Sequence, residues 1–258
     1  MDILQQKQFK ILLIGDACTD VYVFGDCLRI NPEAPVPIFT KSRKAYKDGM
    51  SANVHQNLTN IFKGEIFYLS NDKSKIKKIR FIDSKSNYQI MRYDVENYVP
   101  ELNHSDLPKN DIGAIVISDY DKGFVSYDLI KKLKTSYSCP IFVDTKKSNL
   151  SLFEGCIIKL NEREHTDSFG MSPDTELIVT LGSKGVMWRD KIYPTDEVKV
   201  HDVCGAGDVF LASLVCRWFE TNDLEKSIRL ANKCASFSVT KQGTYHITRA
   251  EYENFCND

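Results

Sequence analysis

An open α/β fold on a mostly parallel sheet is what this sequence predicts, and three observations carry it. Runs that are apolar throughout recur along the chain, beginning with KILLIGD at residues 10–16, and several end in a glycine or a polar residue. Apolar residues at helical spacing fall between those runs. The 258 residues, 42% of them hydrophobic, are enough to bury one large core. A wholly apolar run suits a strand buried on both faces, and strand–helix alternation favours parallel pairing. Ligands then belong at the carboxyl ends of the strands.

In chain order, the first strand is followed by an interruption at residues 21–46, a proline-rich extended stretch containing RINPEAPVPIF. Met50, Val54, Leu58 and Ile61 then share one helix face. Residues 76–94 predict a hairpin, KIKKIRFID and YQIMRYD around SKSN. The two irregular segments either form a small second sheet over the ligand edge or lie as ordinary edge strands; periodicity leaves both open. Further buried strands follow at 112–119, 141–144, 157–161 and 177–182, with Leu129, Ile130, Leu133 and Tyr137 on a helix capped by Ser126. Two apolar helices are expected at 209–218 and 224–239. A third begins at Thr248, where T-R-A-E sets Glu251 for a capping box.

Composition narrows the function classes. Lysine plus arginine (34) and aspartate plus glutamate (35) nearly cancel, so overall charge gives no reason to expect a nucleic-acid or membrane surface. The eight cysteines are scattered without a C-x-x-C pair, which predicts reduced thiols and a cytoplasmic protein. The first ten residues have no apolar leader core, and no run is long enough to span a membrane. The five histidines have no metal-ligand spacing.

The segment HDVCGAGDVF carries the chemistry. Gly205, Ala206 and Gly207 have almost no side chain, so a ligand can approach their backbone, and a helix starting there offers unpaired N–H groups and a dipole to an anion. Asp208 follows the last glycine. In phosphoryl transfer such an acid accepts the proton of an attacking hydroxyl while the turn stabilises phosphoryl oxygens. The dipole is expected to keep Asp208 ionised, an orienting acceptor more than a strong base. A bare G-x-G-D is also an ordinary helix start. No Walker-type or dinucleotide-binding glycine motif is present.

DVCGAGD resembles the C-terminal signature of the ribokinase-like (PfkB carbohydrate kinase) family, and four other stretches match in order. IGDACTD resembles the opening strand and sugar-binding acid, DGMSANVHQNL the glycine-rich sugar motif, NERE the N-x-x-E motif and TLGSKG the nucleotide-side turn. RINPEAPVPIF, MRYDVE, SDYDKG and LANKCASFSVTKQGT are similar in particular to the kinase domain of heptose 7-phosphate kinases. The resemblance implies a three-layer sandwich with a small β-sheet lid, residues 21–47 and 76–94, in a single domain over residues 1–258. It implies ATP-dependent phosphorylation of the anomeric hydroxyl of D-glycero-β-D-manno-heptose 7-phosphate. Asp208 would be the proton acceptor, and Gly205, Ala206 and Gly207 the anion hole.

By the same resemblance, Asp20, Gly49 and Asn53 would meet sugar hydroxyls, and Arg92, Asp119 and Lys122 the sugar phosphate region. Asn161 and Glu164, sharing a helix face, would position waters around Mg²⁺. Thr180, Gly182, Gly185 and Asn232 would line the ATP site, and a K⁺ ion near Asp202 would order the turn. In related kinases the lid often serves as a homodimer interface; a lid closing on its own chain accounts for its apolar residues equally well. Three departures stand out. Asp48 replaces one of the usual paired glycines, Cys204 replaces a threonine, and residues 70–76 pass from strand to hairpin where the family has a further β-α unit. No nucleotidyltransferase domain is expected in these 258 residues. Another sugar, sugar phosphate or nucleoside acceptor is the alternative, and a degenerate binding protein is the alternative of another class.

Overall fold

The computed structural model describes residues 10–109 and 111–257; the opening segment examined for a leader lies mostly outside them. Strand β1 (Lys10–Gly15), paired on both sides, shows the periodicity that makes the layers. Ile11 and Leu13 enter one core, Leu12 and Ile14 the other. Alternate side chains of a strand leave opposite faces of its sheet, so a strand buried on both sides must be apolar throughout.

The main sheet has eight strands in the order β12-β11-β10-β9-β8-β7-β1-β4. Strands β4 (Glu65–Ser70), β1, β7 (Ala114–Asp119), β8 (Ile141–Thr145), β9 (Ile157–Asn161) and β10 (Glu176–Thr180) run parallel. Strands β11 (Val186–Trp188) and β12 (Lys191–Tyr193) close one edge antiparallel. Helices α1 (Ser51–Ile61), α4 (Ala206–Thr221), α5 (Leu224–Ser238) and α6 (Arg249–Asn257) supply one core. Helix α2 (Tyr127–Ser136) contributes to the other, and the short α3 (Glu162–Asp167) follows β9.

The two irregular segments form one small sheet. Strands β2 (Ala17–Ile30), β3 (Pro37–Met50), β5 (Ile76–Asp83) and β6 (Gln89–Glu96) pair in the order β3-β2-β5-β6. This resolves the choice left open by periodicity: neither segment is an edge of the main sheet. Strand β2 leaves β1 through Asp16 alone, so the lid rises from the carboxyl edge of the main sheet. Buried Asp16 accepts the amides of Tyr120 (2.8 Å), Lys122 (3.2 Å) and Phe124 (3.2 Å), tying the loop after β7 to the same edge. After β4 the chain makes only a short 3-10 turn, residues 73–75, before β5.

Local signals behave largely as expected. Ser126 Oγ accepts the Leu129 amide at 3.2 Å to cap α2, and Thr248 and Glu251 exchange bonds at the start of α6. A cap of this kind is worth about 1 kcal/mol. Two residues fall outside the helices predicted for them. Met50 stands before α1 with φ 58°, because it closes the lid strand β3 before the chain turns into the helix, and Tyr137 ends α2 in extended conformation.

Candidate active site

Helix α4 begins where the glycine turn places it. Gly205 takes the N-cap position with φ 81°, a left-handed backbone that disfavours any side chain. The Ala206 amide reaches Val203 O at 3.3 Å, and those of Asp208 and Val209 both reach Gly205 O at 3.0 Å. Among the described residues the Gly205 and Gly207 amides donate to nothing, leaving an anion-accepting mouth. A Cβ on Gly205 would stand 2.7 Å from Asn53 Nδ2. Gly205→Ala is therefore expected to cost about 1–2 kcal/mol in backbone strain alone, and to lower kcat at least tenfold by displacing Asn53; thermal melting with a turnover assay measures both.

Asp208 is 4% exposed. Its Oδ2 accepts from Asn53 Nδ2 at 2.6 Å and its Oδ1 from Tyr120 Oη at 3.1 Å. Asn57 Nδ2 donates to Asn53 O (2.9 Å) and Oδ1 (3.3 Å), which orients the Asn53 amide with its NH₂ toward Asp208. Burial pushes the Asp208 carboxyl up to about 6, and Asp144 adds to that; the Asn53 bond and Lys159 oppose it. At neutral pH Asp208 stays mostly ionised, as the dipole argument expects, but it holds a proton more readily than that argument implies. Desolvation outweighs the helix terminus, and Asp208 is a better base than an exposed aspartate.

Beside Asp208, Lys159 Nζ and Asp144 Oδ2 pair at 2.6 Å. They are direct neighbours in the β8–β9 register. Lys146 pairs with Glu164 and lies 5.2 Å from the Tyr120 ring centre. A cavity of about 220 Å³ is bounded by these groups with Asn161, Thr180, Gly205 and Gly207.

Two further cavities adjoin it. One, about 500 Å³, shares Thr180 and Gly207 and is walled by Val186, Val198, Val200, Val203 and Phe210 with Gly182, Gly185 and Asn232. The other, about 410 Å³, shares Tyr120 and Lys146 and gathers Lys78, Arg92 and Lys122 with Asp94 and Glu96 under the lid. An apolar chamber, a buried carboxylate and a charged chamber of four cations and the carboxylates Asp94, Glu96 and Asp121 therefore lie in series. A planar base, a transferable group and an anionic acceptor would occupy them in that order.

The expected site residues divide accordingly. Asp208, Gly205, Ala206, Gly207, Arg92, Lys122, Thr180, Gly182, Gly185, Asn161 and Asn232 all line this cleft. Asn53 instead spends its NH₂ on Asp208. Asp20 is buried in an ion pair with Arg80, and a Cβ on Gly49 would collide with Asp20 Oδ2 at 2.5 Å, so this glycine makes room for the acid. Asp119 is held away from the cleft, accepting from Thr145 Oγ1 at 2.7 Å and paired with Lys147 at 3.1 Å. Its position at the end of β7 buries it between strands. Asn161 and Glu164 do not share a helix face. They form a capping box, the Glu164 amide donating to Asn161 Oδ1 and the Asn161 amide to Glu164 Oε2.

Sequence reasoning overlooked Arg80, Tyr120, Asp144, Lys146 and Lys159. The signal for Lys159 was present in IIKLN: a lysine inside a buried strand needs a partner.

Comparisons with known proteins agree with this architecture. Residues 157–250 match the family described as pfkB family carbohydrate kinase. The chain is 30% identical to the bifunctional protein HldE of Campylobacter jejuni (serotype O:6), over 99% of this chain and 66% of that one. It is 29% identical to the bifunctional protein HldE of Hydrogenovibrio crunogenus, over 96% and 63%. The chain thus spans just under two thirds of the length of these relatives. Among solved structures it is similar to ribokinase from Thermotoga maritima (TM-score 0.69, 16% identity, 97% and 100% covered). It is also similar to phosphofructokinase-2 from Escherichia coli in complex with potassium (TM-score 0.72, 14% identity, 96% and 98% covered). These two likenesses show the fold.

Proposed function

Because the chain belongs to the pfkB family of carbohydrate kinases, we propose that it transfers the γ-phosphoryl group of ATP to the anomeric hydroxyl of D-glycero-β-D-manno-heptose 7-phosphate, giving the 1,7-bisphosphate. The observation that carries this reading is the buried Asp208 at the mouth of the glycine turn, between an apolar chamber and one that presents Lys78, Arg92 and Lys122. The sequence likeness to the HldE proteins supports the heptose acceptor.

In this reading the adenine lies among the valines beside Asn232, with its phosphates pointing to the free Gly205 and Gly207 amides. The acceptor hydroxyl faces Asp208 Oδ, and its phosphate meets Arg92 and Lys122. Arg92 is held by Asp94 through two 2.9 Å bonds and Lys122 by Glu96 at 2.6 Å. An entering phosphate competes with those carboxylates, which favours a doubly charged group over a neutral hydroxyl. Attack by the hydroxyl oxygen makes the new P–O bond as the bond to the ADP oxygen breaks, and the proton passes to Asp208.

Magnesium is the family's expected companion to ATP. Among the described residues no three acid, histidine or cysteine side chains cluster to hold a metal, and Glu164 already engages Lys146 and the Asn161 amide. A magnesium ion that keeps its waters needs no such cage; the ATP phosphates would hold it, and Glu164, bonded to the cavity residue Lys146, would meet it through water. Asp202 accepts the Cys204 amide at 2.9 Å and the Gly243 amide at 3.1 Å, bracing the turn beside which a potassium ion would sit.

The chain functions as one kinase domain, residues 1–258, shortened by a β-α unit at residues 70–76. The direct passage from β4 to β5 supports this, as does an alignment to relatives that runs over 307 residues, longer than the chain itself. The exposed lid residues Tyr46, Met91 and Tyr93 suit a homodimer contact. A cytoplasmic location accords with eight unbridged cysteines, and no helix among the described residues is long and apolar enough to cross a membrane.

ADP release, followed with ATP and Mg²⁺ across a panel of sugars, tests the acceptor. Turnover of heptose 7-phosphate at least tenfold above ribose, fructose 6-phosphate or adenosine is expected. Preference for any of those moves the assignment to another acceptor, and ATP binding without turnover of any sugar leaves a binding protein. The carboxyl value of about 6 sets the pH profile: Asp208 must be ionised to accept a proton. kcat/KM is therefore expected to be flat above pH 7 and to fall about tenfold per pH unit well below 6.

A further inference from the structure

One buried ion pair of the cleft has no task in the mechanism above. Lys159 and Asp144 face each other in register across β8 and β9, each side chain 5% exposed. Attraction within such a pair seldom repays its desolvation, and two apolar side chains would serve a structural purpose as well.

Two features tie the pair to the reacting centre. Lys159 Nζ lies 2.8 Å from where a Cβ on Gly207 would stand, so the ammonium borders the turn whose amides are free to accept an anion. Asp144 Oδ1 is buried without a hydrogen-bond partner, although Oδ2 is bonded to Lys159. A carboxylate there for the sake of the core would have both oxygens satisfied. This one keeps an unmatched acceptor, on a residue that lines the same cavity as Asp208 and Lys159. Lys146, the other cation on that cavity, is more exposed and is already engaged by Glu164.

Resting on the kinase reading, we propose that Lys159 is a catalytic residue whose ammonium contacts the phosphoryl group during transfer, and that Asp144 is the positioning residue holding it against Gly207. Lys159 keeps all its protons and acts by charge alone. The acceptor oxygen still forms the new bond to phosphorus, ADP leaves with the electrons of the old one, and the hydroxyl proton still goes to Asp208.

The test uses the full chain and does not require turnover. Calorimetry compares ADP with the non-hydrolysable analogue AMP-PNP, which adds the γ-position. The native protein is expected to bind AMP-PNP at least tenfold more tightly than ADP. Lys159→Met should erase that preference with ADP affinity kept within twofold, and Lys159→Arg should restore part of it. An unchanged ratio in Lys159→Met, or no preference in the native protein, overturns the proposal. A failed sugar panel would reject the acceptor while this ratio still decides Lys159.

A second readout separates catalysis from structure. Asp208 faces Asn53 from α1, Tyr120 from the loop after β7, Asp144 from β8 and Lys159 from β9, with Lys146 and Cys18 acting from further away. Lys159→Met should move the acidic limb of kcat/KM upward and Asp144→Asn should move it downward. Variants that lose only thermal stability, with limb and ratio unmoved, would reduce the pair to a structural one.

Discussion

Asp208→Asn is expected to lower kcat by roughly 10³-fold, the scale of a positioned general base, while ATP-analogue affinity stays within about twofold. The amide still accepts from Asn53 or Tyr120, so the cleft keeps its shape; it can no longer take the hydroxyl proton. Stability should not fall with activity. Burial holds the Asp208 carboxyl up at about 6, which means that the folded state disfavours its ionised form at neutral pH. A neutral amide removes that penalty, so the melting temperature at pH 7.5 should match or exceed that of the native protein. A kcat within tenfold of native would end the assignment of Asp208 as proton acceptor.

The largest stability effect is expected at Arg80→Met. Arg80 and Asp20 form an ion pair with side chains 12% and 5% exposed, at the base of the lid. Arg80 also lies 3.7 Å from Cys204 Sγ and 5.4 Å from the Tyr22 ring centre, bridging the lid to the glycine turn. Removing the guanidinium leaves a buried carboxylate without its cation, which costs about 3–5 kcal/mol. For a chain of this size each kcal/mol moves Tm by roughly 2–4 °C, so a fall of about 6–20 °C is expected. Adding Asp20→Asn should recover much of it. Melting curves of the single and double variants check this, and a single variant within 2 °C of native would show the pair to be screened by water.

The parts of this protein that could be read directly are those whose cause is local. An apolar run long enough for a strand predicts burial on both faces, and β1 delivers it by sending alternate residues into the two cores. The cap at Ser126, the box at Thr248 and Glu251 and the turn ahead of α4 are set by a few neighbouring residues. Asn161 and Glu164 show the limit of that reasoning, since the same i to i+3 spacing serves a shared helix face or a capping box.

By itself, the sequence determined the layered α/β architecture, the glycine turn with its acid and the two segments that became the lid, because backbone propensity and apolar period act over a few residues. Only the tertiary structure decided what each polar group does there. Asn53 reaches Asp208 across 155 positions, Arg80 reaches Asp20 because β2 and β5 run parallel, and Lys159 meets Asp144 through sheet register. A buried charge takes its protonation state and its role from whichever partners share its low-dielectric surroundings. Those partners are chosen by strand order and register, which no local pattern encodes.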